Sequence, residues 1–372
     1  LDGVRLDGVR VSAELIRTAP ERIPSDLLEA LQLAASRIRA FHEHQPLPNW
    51  TTTDLGGVLG QRVTPIRRVG IYVPGGTAPL PSSVLMGAIP AQVAGCPEIV
   101  IATPPGKDGT VPDVILAAAA IIGVDTIYML GGAQAVGALA FGTESVPAVD
   151  KIFGPGNLYV TLAKREVYGV VGIDGLYGPT ETVVIADESA DVAWVSADML
   201  AQAEHDILAS AILLTPSREL ALAVQLEIER QLDDLPDRQA ILLQSLSNQS
   251  GIVVTQDLDE ACDLANAYAP EHLCLSVENP HELAPKIQNA GGLFFGERSF
   301  EVLGDYVAGP SHTMPTGGTA RFSSPLNVSD FVKINSIIDL DAETARTLSQ
   351  YAARIADSEH LYAHRNAALK RT

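Results

Sequence analysis

The chain has no apolar run of the roughly 20 residues that a membrane-spanning helix needs; residues 117–123 are apolar but too few, and Asp125 follows them closely. No secretory pattern opens it. Basic residues are scarce: 25 Lys and Arg stand against 45 Asp and Glu, giving a net charge of −20. A general affinity for nucleic acid, which needs a basic face, is thereby excluded. An anionic ligand would need a local site built from backbone N–H groups. The three cysteines, Cys96, Cys262 and Cys274, form no close-spaced pair, so neither a disulfide framework nor a cysteine zinc site is indicated. That points to a cytosolic protein. Neither CxxC nor HExxH occurs, and any metal site must therefore be assembled from distant segments. The GxGxxG fingerprint and solenoid-type repeats are also missing. There is no initiator Met, and "LDGVRLDGVRV" repeats five residues, which reads as a truncated or processed start.

What is present is an ordinary globular balance, 47% hydrophobic and 19% charged, over 372 residues. That length suffices for two or more domains with sizeable cores. Residues 12–45 read as mostly helix, with Ser25 and Asp26 placed to cap a run through Leu27, Leu28, Leu31, Leu33 and Ile38. Short β-rich runs then recur at 69–73, 98–102, 126–130, 182–186, 211–214, 252–254, 273–276 and 292–295. Helical stretches such as 191–208, 219–232 and 258–268 separate many of them. Strand–helix alternation predicts parallel sheets wrapped by helices, and near-continuous apolar runs such as "EIVIA" and "AILL" fit sheets buried on both faces. Residues 73–180 and 181–300 each read as a small βα sheet unit. The segment 303–330 is rich in Gly, Pro, Ser and Thr and reads as loop. A last helical pattern runs from 342 to about 371.

Three glycine-bearing turns follow strands or open helices: "YVPGGTAPL", "LGGAQAVGALAFG" and "FGPGNLYVTLAKR". Glycine lets the backbone approach a ligand, and a helix N-terminus offers unpaired N–H groups to phosphate. Each is a candidate phosphate or cofactor site, although the plain reading of each is a tight βα turn. Ligands of open α/β sheets settle in crevices at strand ends.

Of the eight histidines, His42 and His44 near the end of a polar helix read as solvated, and His281, after "ENP", as part of a helix's first turn. Gln202 and His205 in "LAQAEHD" are spaced i, i+3 on a predicted helix and share a face. "GDYVAGPSHTMPTGG" carries Asp305 and His312 in a loop, where a turn-forming Asp and an exposed His are the plain alternative. Near the end, spacing alone pairs His360 with His364, i, i+4 on one helix face, with Glu359 pointing elsewhere. Finally, "YAPEHLCLSV" sets Glu271 beside His272. Neighbours in a regular strand point to opposite faces, so both can serve one centre only if the chain around Pro270 departs from a strand.

Taken together, "RRVGIYVPGGTAPLPSSVLM", "GGAQAVGALAFGTESVPAVDKIFGPGN", "LAQAEHD", "APEHL", "GDYVAGPSHTMPT" and "HLYAHRNA" resemble histidinol dehydrogenase, nearly end to end and in the same order. The resemblance implies an α/β fold of two incomplete Rossmann-like domains, similar to aldehyde dehydrogenases, with helical terminal extensions. The corresponding divisions are 1–72, 73–180 (NAD side), 181–330 (zinc and acid–base residues) and 331–372 (dimerisation). It implies oxidation of L-histidinol through L-histidinaldehyde to L-histidine, with two NAD+ and one zinc per subunit, in a cytoplasmic homodimer with shared sites.

By motif, Gln202, His205, Asp305 and His364 match the zinc ligands, His364 lying in the segment that family dimers contribute across the subunit interface. Glu271 and His272 match the acid–base pair; Thr180, His312 and Glu359 match substrate contacts; Tyr72, Gln134 and Asn157 match NAD contacts. The zinc ligands and His272 also border the substrate. The resemblance thus prefers His364 to His360. Thr180 stands where the family usually has serine, "DGLY" before it departs from the commoner pattern, and the N-terminus is shorter than usual. Three rivals remain: a paralogue oxidising another amino or sulfonated alcohol, a thiol-using aldehyde dehydrogenase, and a non-catalytic binding protein. The first would change the substrate shell around His312 and Glu359. The second would need a cysteine at the reaction centre, where Cys96 reads as core. The third has no need of both an acid–base pair and a ligand set.

Overall fold

The computed structural model describes residues 8–75 and 79–371. Most of the N-terminal repeat and the middle of the "YVPGGTAPL" turn lie outside the described residues. The chain divides into two compact units: residues up to Gln45 with Ile66–Phe331, and Pro46–Pro65 with the chain from Val332 onward.

The first unit opens with α1 (Ala13–Thr18), a 3-10 turn and α2 (Ser25–Glu43). Pro24 takes the cap position of α2, so Ser25 and Asp26 are already helical and do not cap it. Leu31, Ala34, Ala35, Ile38 and His42 form the buried stripe of α2. His42 falls one turn beyond Ile38 on that stripe, and for this reason it is buried instead of solvated, with Nδ1 2.8 Å from the Ile38 carbonyl. Burial lowers its pKa. His44 is exposed.

After β1 (Trp50–Thr52) and β2 (Val58–Pro65) of the second unit come β3 (Arg68–Tyr72), α3 (Pro81–Val93), β4 (Glu98–Thr103), α4 (Asp113–Ile121), β5 (Ile127–Met129), α5 (Gly132–Phe141), β6 (Lys151–Phe153), α6 (Leu158–Val167) and β7 (Gly172–Ile173). These five strands form one parallel sheet in the order β5-β4-β3-β6-β7. The order reverses beside β3, which opens a crevice at the carboxyl ends of β3 and β6.

The second sheet follows: β8 (Glu181–Ala186), α7 (Val192–Ala203), β9 (Ser210–Thr215), α8 (Arg218–Leu232), α9 (Gln239–Asn248), β10 (Gly251–Val254), α10 (Leu258–Tyr268), β11 (His272–Ser276), α11 (Pro280–Leu283), β12 (Gly292–Phe295) and α12 (Glu301–Tyr306). Its order is β10-β9-β8-β11-β12, again parallel. Successive residues of β8 serve opposite faces: Val184 and Ala186 join the core under α7 and α8, while Val183 and Ile185 join the core with α10. Both faces are therefore apolar, as parallel strands require.

In the second unit β1, β2 and β13 (Val332–Asp339) form an antiparallel sheet, followed by α13 (Ala342–Ser358) and α14 (Tyr362–Leu369). The terminal extensions thus carry strands as well as helices. These strands alternate polar and apolar residues and leave Ile334 and Ile338 exposed, which hides them from a search for apolar runs. The last helical pattern is broken at His360, whose φ of 58° is left-handed. His360 and His364 consequently share no continuous helix face.

Candidate active site

The two neighbours Glu271 and His272 owe their placement to the end of α10. Ala269 closes that helix in a left-handed conformation, its N–H donating to the Ala265 carbonyl at 2.8 Å. Pro270 has no N–H to continue the helix. His272 then becomes the first residue of β11, in register with Thr182 on β8 and Gly292 on β12. Glu271 lies just before the strand, so its carboxyl is not bound to the opposite face; Glu271 Oε2 is 3.7 Å from His272 Nδ1. Gly291 permits this approach, since a Cβ there would lie 2.5 Å from the Glu271 carbonyl oxygen.

Around this pair the contacts close into a ring of five side chains. The Thr180 hydroxyl lies 2.6 Å from Glu271 Oε2 and 3.1 Å from Gln202 Oε1, two acceptors for its single proton. Gln202 Nε2 donates to Asp305 Oδ2 at 3.2 Å, and Asp305 Oδ1 sits 3.4 Å from His272 Nε2. The Glu181 N–H also donates to Glu271 Oε2. His312 Nδ1 is 2.9 Å from the Asp305 carbonyl oxygen. Gln202 is 1% exposed, at the last turn of α7, so it is no part of a polar surface. His205 lies two residues beyond that helix, not on it, and is exposed; its N–H donates to the Gln202 carbonyl at 3.2 Å. Asp305 belongs to α12 and not to a loop.

Glu301, four residues before Asp305 on the same helix face, was missed in the sequence because the segment reads as loop. It is fully buried and accepts from the Thr182 hydroxyl and, at 3.0 Å, from the Cys274 thiol. The i, i+4 acids of "EVLGD" were the available signal.

Burial sets the electrostatics. It pushes the Glu271 carboxyl up to about 7, against the opposing pull of His272 and the Thr180 hydrogen bond. Burial alone would lower His272, but the charges of Glu271, Asp305 and Glu301 overcome it and raise its pKa. Asp305 is raised by burial and lowered more strongly by His272, leaving it below the ordinary carboxylate range. The protein packed around its ring lowers His205 although the residue is exposed, and burial lowers His312, with Asp305 acting in the opposite sense on both. Such opposed shifts within one cleft mark acid–base chemistry.

Gln202, His205 and Asp305 offer an amide oxygen, a neutral imidazole and an ionised carboxylate, a donor set that fits a borderline cation such as zinc. Among the described residues no three His, Cys, Asp or Glu side chains are arranged to hold a metal ion, and this set supplies only two of those types. Glu359 and His364 belong to the second unit, where both are exposed.

The candidate cofactor residues stand at the switch point of the first sheet. Tyr72 ends β3, and its hydroxyl accepts the Gly132 N–H at 3.1 Å, tying two glycine turns together. Gln134 lies exposed in the first turn of α5. Asn157 caps α6, its side-chain oxygen accepting from the N–H groups of Tyr159 and Val160. These residues sit at the carboxyl ends of strands. The acid–base ring instead sits at the amino ends of β8 and β11, where a rule based on carboxyl ends would not look.

Two parallel sheets, one with glycine turns at its switch point and one with a buried acid–base ring, define a Rossmann-like α/β architecture suited to dehydrogenation. The sequence model of the histidinol dehydrogenase family matches residues 1–372. The chain is 53% identical over 368 residues to histidinol dehydrogenase of Deinococcus radiodurans, covering 98% of this chain and 84% of that one. It is 54% identical to the Moorella thermoacetica enzyme of the same name, covering 99% and 87%. The crystal structure of histidinol dehydrogenase from Elizabethkingia anophelis superposes with a TM-score of 0.95 at 40% identity, covering 100% of this chain and 86% of that one. The chain therefore belongs to the histidinol dehydrogenase family and is an oxidoreductase. An acetylating aldehyde dehydrogenase from Geobacillus thermoglucosidasius, at 14% identity, 88% and 92% coverage and a TM-score of 0.55, shares the fold alone.

Proposed function

We propose that this chain oxidises L-histidinol through L-histidinaldehyde to L-histidine, with two NAD+ and one zinc per subunit, as a cytoplasmic homodimer of histidine biosynthesis. Family membership over the whole chain supports the substrate. The observation that carries the chemistry is the closed ring Glu271–Thr180–Gln202–Asp305–His272.

When bound, the nicotinamide would supply a hydride acceptor, and zinc, which Gln202, His205, Asp305 and His364 of the partner subunit would hold, would supply a template for the substrate's imidazole and would offset the Asp305 charge that raises His272, leaving that imidazole able to accept a proton. The alcohol must lose its hydroxyl proton as it is oxidised, and His272 is the base placed for this. The aldehyde must be hydrated before the second oxidation; Glu271 takes the proton of the incoming water, and His272 acts again on the hydrate. The Thr180 hydroxyl aims the Glu271 carboxylate. Glu359, also from the partner, and His312 select a basic, imidazole-bearing substrate. Tyr72, Gln134 and Asn157 border the dinucleotide.

The reading is tested by metal removal: chelation is expected to abolish oxidation of L-histidinol, and added zinc to restore it. Full activity in metal-free protein removes the zinc assignment.

A further inference from the structure

Beneath the turn that carries Asn157 lies a buried ion pair that no substrate or dinucleotide contact explains. Val160, Lys164 and Val167 form the buried stripe of α6. Asp174 follows β7. The side chains of Lys164 and Asp174 are 2% and 1% exposed and pair directly. Each also holds one side of the same residue: Asp174 Oδ2 accepts the Gly154 N–H at 2.7 Å, and Lys164 Nζ donates to the Gly154 carbonyl at 3.0 Å. Asp174 Oδ1 accepts the Gly175 N–H at 2.8 Å, and the Tyr177 ring lies 4.9 Å from Lys164 Nζ.

Gly154 is itself a forced position. Its φ is +104°, and a Cβ there would stand 2.1 Å from the Tyr72 carbonyl oxygen. The turn is thus pressed against the end of β3 on one side and gripped by the ion pair on the other. Buried ion pairs are seldom better than a packed apolar pair for stability alone, because removing two charges from water is costly. A pair that directs its hydrogen bonds to both polar groups of one glycine is better suited to fixing a conformation.

We propose that Lys164 and Asp174 are positioning residues for the dinucleotide. They clamp Gly154 so that residues 155–157 and the amino end of α6 face the crevice beside Tyr72 before the cofactor arrives. This rests on the reading of the glycine turns as the dinucleotide site. A preformed turn spares the binding step its ordering cost.

The test uses the full chain carrying Lys164→Met with Asp174→Leu, which leaves no buried charge unpaired, beside Lys164→Arg, which keeps a charged donor. NADH affinity is measured by fluorescence titration and backbone amide exchange over 151–160 without cofactor. The double variant is expected to bind NADH about tenfold or more weakly, and Lys164→Arg within about threefold of wild type. Amide exchange at 154–157 is expected to quicken in the double variant, while affinity for L-histidinol is unchanged. Unaltered NADH affinity or unaltered exchange in a folded double variant overturns the clamp. Should that variant fail to fold, Asp174→Asn is the second probe: weaker NADH binding at unchanged histidinol affinity supports the clamp, and equal loss of both overturns it. Wild-type protein that takes no NADH overturns the dinucleotide reading and this inference with it. Wild-type binding with indifferent variants overturns this inference alone.

Discussion

A carboxyl held near pKa 7 by burial is a base only after it loses its proton, so the role proposed for Glu271 imposes a direction on the pH dependence. Below about pH 7 the protonated form dominates, and oxidation of histidinaldehyde is expected to fall about tenfold per pH unit; above it the rate levels off. Rates of the aldehyde step across that range check this, and a flat profile down to pH 5 contradicts it. Glu271→Gln abolishes the base while retaining an acceptor for Thr180. It is expected to lower aldehyde oxidation by about 10²–10⁴-fold and alcohol oxidation much less. Equal loss of both, assayed separately on histidinol and histidinaldehyde, removes the division of labour between Glu271 and His272. Thr180 is the third residue of interest, because its one proton is shared between Glu271 and Gln202. Serine at this position keeps that proton; Thr180→Ser is therefore expected to retain activity that Thr180→Val loses.

Elements differ in how plainly the sequence declares them. Strands such as β4 and β8 are short apolar runs because helices cover both their faces, and they are legible at once. β6 and β7, of three and two residues, are too short to leave a pattern. β2 is half-buried and β13 largely exposed, both are mixed in polarity, and they escape for the opposite reason. α12, six residues in a stretch rich in glycine, proline and serine, reads as loop although it carries both Glu301 and Asp305. At this scale the close approach of two segments is decisive. Gly291→Ala would drive a Cβ into the Glu271 carbonyl, 2.5 Å away. The variant is expected to lose oxidation of L-histidinol far beyond its loss of thermal stability, because the displaced start of the strand carries both residues of the proposed acid–base pair. Activity and melting curves measured together check this, and parallel losses would mean that the glycine serves the fold alone.

Across the whole molecule, spacing could not reveal the ring, since its five members come from four separate segments that only the folded chain brings together. The motifs resembling a known family named Thr180, Gln202, Glu271, His272 and Asp305; unaided periodicity placed His205 on a helix and paired His360 with His364. Glu301, Lys164 and Asp174 were assigned no role by the motifs, and only the folded chain shows that they are buried and hydrogen-bonded. The thiol-using alternative is answered at this scale too. Cys96, Cys262 and Cys274 are all buried, and burial raises each thiol's pKa, which suppresses the reactive thiolate. Treatment of the folded protein with iodoacetamide is expected to leave activity intact; rapid stoichiometric inactivation would reinstate a cysteine nucleophile. The most direct test of the proposed four-electron chemistry is the amount of NADH formed when a limiting quantity of L-histidinol is consumed to completion with zinc present. Two NADH per histidinol, with histidine as the product, is the predicted result; one NADH, with the aldehyde accumulating, would contradict it.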